Sequence, residues 1–210
     1  LKSESESRRF FPATLRNQKP ILDVLQRVLP AEGSILETSS GTGEHAIHFA
    51  PALAPRVFLT SEPDPDLRAS VAAWCRHSMA ANLRMPIDLD VTEDTWPVEI
   101  DPRVQPPISV ILNINMIHIA PWSACLGLLA GAGRILQTGG MLYLYGPFKQ
   151  MGVEFGSGND DFDQSLRAKN PEWGVRSLES VAEIAAEEGL ILRKTIPMPS
   201  DNLSVIFERQ

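Results

Sequence analysis

Apolar residues recur at helical spacing between Pro20 and Leu29, at Ile21, Leu22, Val24, Leu25, Val28 and Leu29, and the run stops at Pro30 and Gly33. That spacing predicts a helix with one buried face. A short strand is expected next over Ser34–Thr38, then a helix in "EHAIHFAPAL", a strand in "RVFLTSEPD" and a helix in "PDLRASVAAWCRHS". "MPIDLDVT" alternates apolar and polar residues and reads as a third strand. "PISVILNINMIHIA" opens with the continuous apolar run of a strand buried on both faces. A helix in "WSACLGLLAGAGRIL" and a fifth strand in "GGMLYLYGPF" follow. Beyond a long connection over 146–176 come a helix, "SLESVAEIAAEEG", and two strands, "LILRKTIPM" and "LSVIFER", whose short linker "PSDN" makes them an antiparallel hairpin. Strand and helix alternate almost throughout. The expectation is an α/β fold: a mostly parallel seven-stranded sheet with a C-terminal antiparallel hairpin and helices on both faces.

A length of 210 residues suits one such domain and leaves no room for a separate substrate domain. The polar stretch over 1–8 is expected to stay in solvent, with the domain over 9–210. Net charge is -7 and no stripe of Lys and Arg appears, which argues against nucleic acid as a partner. No apolar run approaches the roughly 18 residues of a membrane span. Cys75 and Cys125 stand far apart without a partner spacing, as expected of ordinary thiols in a reducing cytoplasm.

The stretch "ILETSSGTGEHAIHFA" carries GxGxxA at Gly41, Gly43 and Ala46, a turn that lets backbone approach a ligand. A phosphate cradle would need Lys and a hydroxyl after the last glycine, where Glu44 and His45 stand instead. A dinucleotide turn would set a pyrophosphate on the next helix, yet Glu37 and Glu44 frame this one. A carboxylate there repels a pyrophosphate and attracts an ammonium group. The pattern ExxxGxG at the end of an apolar strand is what S-adenosylmethionine sites use, so Glu37, Ser40, Gly41 and Gly43 are candidate cofactor contacts.

In an open doubly wound sheet, ligands bind beyond the carboxyl ends of the strands. The second strand ends at Glu62 and Asp64, with Glu62 favoured for the ribose hydroxyls and Asp64 equally suited to capping the next helix. The third ends at Asp90 and Val91, suited to an adenine amine and ring nitrogen. Asn113 lies at the end of the fourth. With "ETSSGTGEH", "TSEPD", "DLDVT" and the final hairpin, the chain resembles the class I S-adenosylmethionine-dependent methyltransferases, with a Rossmann-like fold. More narrowly, "FFPATLRNQKPIL", "NMIHIAPW", "LYLYGPF" and "NPEWGVRSLE" resemble the methyltransferase-like protein 26 family, catalogued mostly as a domain of unknown function. The resemblance implies S-adenosylmethionine binding and a class I fold, and brings no substrate. It departs at Glu62, where Asp is usual. It also places Arg16 or Asn17 on the cofactor's carboxylate.

Candidate catalytic residues are His118 as a general base, with Asn115 and Tyr145 near it. Asn115 lacks the following prolines of enzymes that methylate planar nitrogens. His45 and His48 are three apart with no third ligand, so no metal is expected. The segment 146–176 is expected to be a lid whose Phe148, Lys149, Phe162, Trp173 and Arg176, with Asn159 and Arg167, enclose a small-molecule or peptide acceptor. Two alternatives stand beside this. Tyr145 and Lys149 have the YxxxK spacing of short-chain oxidoreductases that use NAD or NADP, although Gly146 and Pro147 break the helix that chemistry needs. A protein of the same fold that binds cofactor without catalysis is the other.

Overall fold

The computed structural model describes residues 7–101, 104 and 106–210. Of the solvent-exposed tail expected over 1–8, residues 1–6 lie outside the described residues, and Arg8 is docked, its guanidinium 4.9 Å from the centre of the Trp74 ring. The elements are α1 (Pro12–Val28), β1 (Ser34–Thr38), α2 (Glu44–Ala52), β2 (Phe58–Thr60), α3 (Pro65–His77) and a short α4 (Pro97–Ile100). They continue with β3 (Ile108–Ile114), a single 3-10 turn at Met116–His118, α5 (Trp122–Ile135) and β4 (Met141–Pro147). Last come α6 (Ser157–Lys169), α7 (Leu178–Glu187), β5 (Leu190–Met198) and β6 (Asn202–Arg209).

The sheet is mixed and has six strands in the order β2-β1-β3-β4-β6-β5. β2, β1, β3 and β4 run parallel, while β6 lies antiparallel between β4 and β5. Two apolar clusters enclose it. On one face Ile21 and Leu25 of α1 and Phe49 of α2 cover Ile35, Leu112 and Tyr143. On the other, Leu128 of α5 and Val181 of α7 cover Leu36, Ile111, Leu142 and Phe207. Among the described residues no helix is long and apolar enough to cross a membrane.

The seventh strand is the main difference from expectation. "MPIDLDVT" forms no regular strand; its Ile87 makes an isolated parallel bridge to Ser61 just past β2, and Leu83, ahead of the stretch, makes another to Phe58. Pro86 stands between them and has no N–H for the ladder. The first helix differs too: it begins at Pro12, eight residues before the expected start, and runs through Pro20. Pro12 takes the first-turn position that suits proline, while Pro20 costs one internal hydrogen bond that the buried Ile21, Leu22, Val24 and Leu25 outweigh. The long connection over 146–176 also has order of its own, because α6 lies within it.

Candidate functional site

The carboxyl ends of β1, β2 and β3 meet at the point where the strand order reverses. Gly41 and Gly43 turn the chain between β1 and α2 in the left-handed region, with φ of 58° and 93°. A Cβ at Gly43 would come within 2.9 Å of the Val71 backbone, whereas one at Gly41 would meet nothing within 4 Å. The first glycine therefore borders open space and the second packs against α3. Ser40 anchors the turn to β2: its N–H donates to the Ser61 carbonyl at 2.7 Å.

Glu37 closes β1 with 2% of its surface exposed, and its Oε2 has no partner. Burial raises its pKa to about 7, with the Ser40 hydroxyl bond working against the rise and the nearby Glu62 adding to it. Glu62 accepts from the Gly41 N–H at 2.8 Å and from the Asp64 N–H at 3.1 Å. Its pKa is also raised, chiefly by burial. Asn113, at the end of β3, donates to the Thr38 hydroxyl at 2.9 Å and leaves its own Oδ1 unpaired in the interior. Two buried acceptors, Glu37 Oε2 and Asn113 Oδ1, thus stand without donors on adjacent strands.

The remaining sequence candidates divide. Asp64 caps α3, its Oδ1 accepting from the Asp66 and Leu67 N–H groups at 2.8 Å each. Asp90 is exposed, and its Oδ1 holds the turn by accepting from the Thr92 N–H and hydroxyl. Val91 is buried, its carbonyl accepting from the Trp96 indole. Glu44, expected to frame the ligand, instead accepts from the Phe11 N–H at 2.6 Å and the Thr42 hydroxyl at 2.8 Å, which ties the segment before α1 to the turn. Arg16 is exposed and bonds only weakly to the Pro12 carbonyl at 3.4 Å. Asn17 points inward: its Oδ1 lies 2.8 Å from His45 Nε2.

His118 does not stand as a base open to a ligand. It is 0% exposed, and burial pushes its pKa down to about 3, with the Arg176 charge adding to the effect. Its Nδ1 faces the Arg176 N–H at 3.4 Å, and its ring packs edge-on to Phe148. Nε2 crowds the space beside Gly146, where only the missing side chain admits it. Asn115 is half-buried beside the same glycine in a left-handed conformation, φ 63°. Such a conformation in a non-glycine residue costs of order 1–3 kcal/mol and concentrates at functional positions.

Three of the residues expected to face an acceptor are parts of the frame instead. Phe148 is in the core. Lys149 pairs with Asp163 at 2.6 Å. Arg176 donates to the carbonyls of Ile117, Ala120 and Glu172. Sequence could not reveal this, because a Lys or Arg in a loop looks the same whether its charge meets a ligand or the protein's own carbonyls. Phe162, on α6, is exposed and Trp173 half-buried. Arg167 joins the Asp163 pair, and Asn159 donates to the Asp201 carbonyl. Tyr145 lies in β4 and Lys149 beyond it, so the pair shares no helix face and the oxidoreductase arrangement is not formed. Sequence reasoning set Asn17 toward a cofactor carboxylate and did not foresee its contact with His45 of α2, nor the docking of the 8–11 segment, for which the clustered "RRFF" was the one signal.

This mixed sheet, with helices on both faces and a glycine turn at the reversal of strand order, is the architecture of methyltransferase structures. It matches the mitomycin 7-O-methyltransferase MmcR with a TM-score of 0.75 at 12% identity, over 94% of this chain and 54% of that one. An O-methyltransferase family 2 protein from Planctomyces limnophilus, solved with apigenin, matches with a TM-score of 0.72 at 18% identity, over 100% and 62%. The methyltransferase of calicheamicin biosynthesis CalO1, in its SAH-bound form, matches with 0.68 at 12%, over 94% and 55%. At these identities the likeness is one of fold, and the chain spans little more than half the length of those structures. Over residues 8–209 the sequence matches the family described as "Protein of unknown function (DUF938)", and the chain belongs to that family.

Proposed function

We propose that the chain is an S-adenosylmethionine-dependent methyltransferase acting in the cytoplasm on a small molecule or peptide, with residues 9–210 as one domain and 146–176 as its lid. The narrower likeness to the methyltransferase-like protein 26 family belongs to the same proposal. The observation that carries it is the Glu37 carboxylate, buried with Oε2 unpaired beside a glycine that borders open space. A buried carboxylate oxygen without a donor is costly, and an ammonium group relieves the cost. A pyrophosphate would aggravate it. The methyltransferases among the structural neighbours lend support.

In this reading Glu37 receives the amino group of the methionine part, Gly41 and Gly43 with Ser40 shape the backbone against it, and Asn17 or Arg16 meets its carboxylate. Glu62 takes the ribose hydroxyls by giving up its hold on the Gly41 N–H. Asp90 and the Val91 N–H read adenine, with Asn113 offering Oδ1 between the strands. When bound, the sulfonium supplies a methyl group already activated for displacement, so the protein's part is binding, alignment and exclusion of water.

Thermal unfolding with S-adenosylmethionine, S-adenosylhomocysteine, NAD and NADP in parallel tests this. At about 100 times its dissociation constant a ligand adds ~2.7 kcal/mol, or roughly 5–11 °C at this chain length. The two sulfur compounds should shift the transition and the dinucleotides should not. A shift with NAD or NADP alone would overturn the reading.

A further inference from the structure

Thr42 stands between the two glycines of the turn, and both hydrogen bonds it makes among the described residues run through side chains that it shares with the segment before α1. Its carbonyl accepts from the Ser70 hydroxyl of α3 at 2.9 Å, and its own hydroxyl donates to Glu44 Oε2 at 2.8 Å. Ser70 Oγ also accepts the Arg9 N–H at 2.8 Å, and the same Glu44 oxygen accepts the Phe11 N–H at 2.6 Å. Each hold on Thr42 is therefore also a hold on residues 8–11. Trp74 adds a third link. A Cβ at Gly43 would stand 3.4 Å from its ring, its indole N–H donates to the Arg9 carbonyl at 3.1 Å, and Phe10 packs edge-on against it.

These links hold the segment without much apolar burial. Phe10 and Phe11 keep 68% and 59% of their surface exposed, and the ion pair of Arg9 with Asp66 is exposed as well. The helix that follows differs, because Ile21, Leu22, Val24 and Leu25 anchor α1 in the core. A segment tied by a few hydrogen bonds and one aromatic contact opens locally far more readily than the fold unfolds. Opening leaves Ser70 on α3 and Glu44 on α2, but removes the N–H groups that fix the direction of their oxygens.

We propose that residues 8–11 are a strap that closes on the glycine turn when the cofactor is bound and opens for its exchange. This rests on the methyltransferase reading above, in which Glu62 gives up the Gly41 N–H, held at 2.8 Å, to take the ribose hydroxyls. With that bond gone, the stretch from Gly41 to Gly43 is tethered to its surroundings by Thr42 and by the packing of Gly43 on α3, and the strap orients both partners of Thr42. Closing the strap thus steadies the turn most when the ligand is in place. By linkage the coupling is reciprocal: the factor by which bound cofactor favours the closed strap is the factor by which closure tightens the cofactor.

Proteolysis and ligand release read the two sides of this coupling on the full chain. Saturating S-adenosylhomocysteine should slow tryptic cleavage after Arg8 and Arg9 about fivefold or more, the lower end of typical couplings, and leave cleavage after Arg193 and Lys194 on the far edge of the sheet unchanged. Phe10→Ala, at an exposed position that touches Trp74, and Ser70→Ala, which breaks the bridge to Thr42, each remove one link. Without ligand both variants should be cut after Arg9 about threefold faster or more, and in stopped flow both should release S-adenosylhomocysteine faster by a similar factor. Strap cleavage that the ligand leaves unchanged, or slows only as much as it slows cleavage in β5, would overturn the proposal. So would variants that are cut no faster, or that are cut faster and release the ligand at the parent rate. Failure of S-adenosylhomocysteine to bind in calorimetry would instead overturn the methyltransferase reading, and this proposal with it.

Discussion

Glu37 and Gly41 divide the work of the turn between charge and space, and single substitutions separate the two. Glu37→Gln keeps the shape and removes the charge that a ligand ammonium would meet; S-adenosylmethionine binding by calorimetry should weaken by about 1.5–3 kcal/mol, the range for a charge-assisted bond. An unchanged affinity would remove Glu37 from the site. Gly41→Ala adds a methyl group where nothing lies within 4 Å, at φ 58°, so the fold should lose only about 1–2 kcal/mol while the cofactor loses its place. Gly43→Ala should do the reverse. With φ 93° and the Val71 backbone at 2.9 Å, it should cost about 2–4 kcal/mol in denaturant unfolding, the sum of strain and overpacking. The glycine spacing and Glu37 were legible in the sequence because both are dictated by a local turn. The sealing of His118 was not, because it depends on Gly146, Phe148 and Arg176 arriving from elsewhere in the chain.

At the scale of elements, periodicity revealed most of the helices and strands that bury a face and missed α6, whose buried apolar contact is Leu166 alone; two other misses were set by single hydrogen bonds. The Pro86 gap in the expected third strand and the early start of α1 at Pro12 both turn on one N–H. The segment before α1 is the clearest case. Arg9 donates its N–H to Ser70 Oγ and accepts from the Trp74 indole, Phe10 packs edge-on to Trp74, and Phe11 donates to Glu44. Ser70 in turn donates to the Thr42 carbonyl, so α3, the glycine turn and this segment form one network. Glu44→Ala should release the segment at a cost of about 1 kcal/mol in stability. Trypsin should then cut after Arg8 or Arg9 at least several-fold faster, with the rest of the chain as resistant as before. Equal cleavage rates in parent and variant would show that Glu44 does not hold the segment.

For the whole molecule, the buried ionisable groups set how stability follows pH, and they do so with opposite signs. Below pH 6.5 an unfolded chain protonates His45 and His118, while the folded chain keeps them neutral down to about 4 and about 3. The unfolded state therefore binds more protons, and each histidine adds a rise in stability of about 1.4 kcal/mol per pH unit between roughly 4.5 and 6.5. Glu37 acts the other way: its folded pKa is raised from 4.5 to about 7, so the folded state holds the extra proton and stability falls as pH climbs through that window. His48 and Glu62 are shifted in the same senses as their neighbours and oppose each other. Two histidines against one glutamate leave a net rise of about 1.4 kcal/mol per unit from pH 4.5 to 6.5, then a slight fall toward 7. Glu37→Gln should roughly double the slope and abolish the fall, in urea unfolding measured across pH 4.5–8. Ligand ammonium at Glu37 should act as the substitution does on the upper limb, because the carboxylate must ionise to receive it. Binding of S-adenosylmethionine near pH 6 should therefore release close to one proton per site, read as a dependence of calorimetric heat on the ionisation enthalpy of the buffer. Proton release in the parent that vanishes in Glu37→Gln would tie the stability curve and the cofactor site to one side chain; equal release in both would separate them.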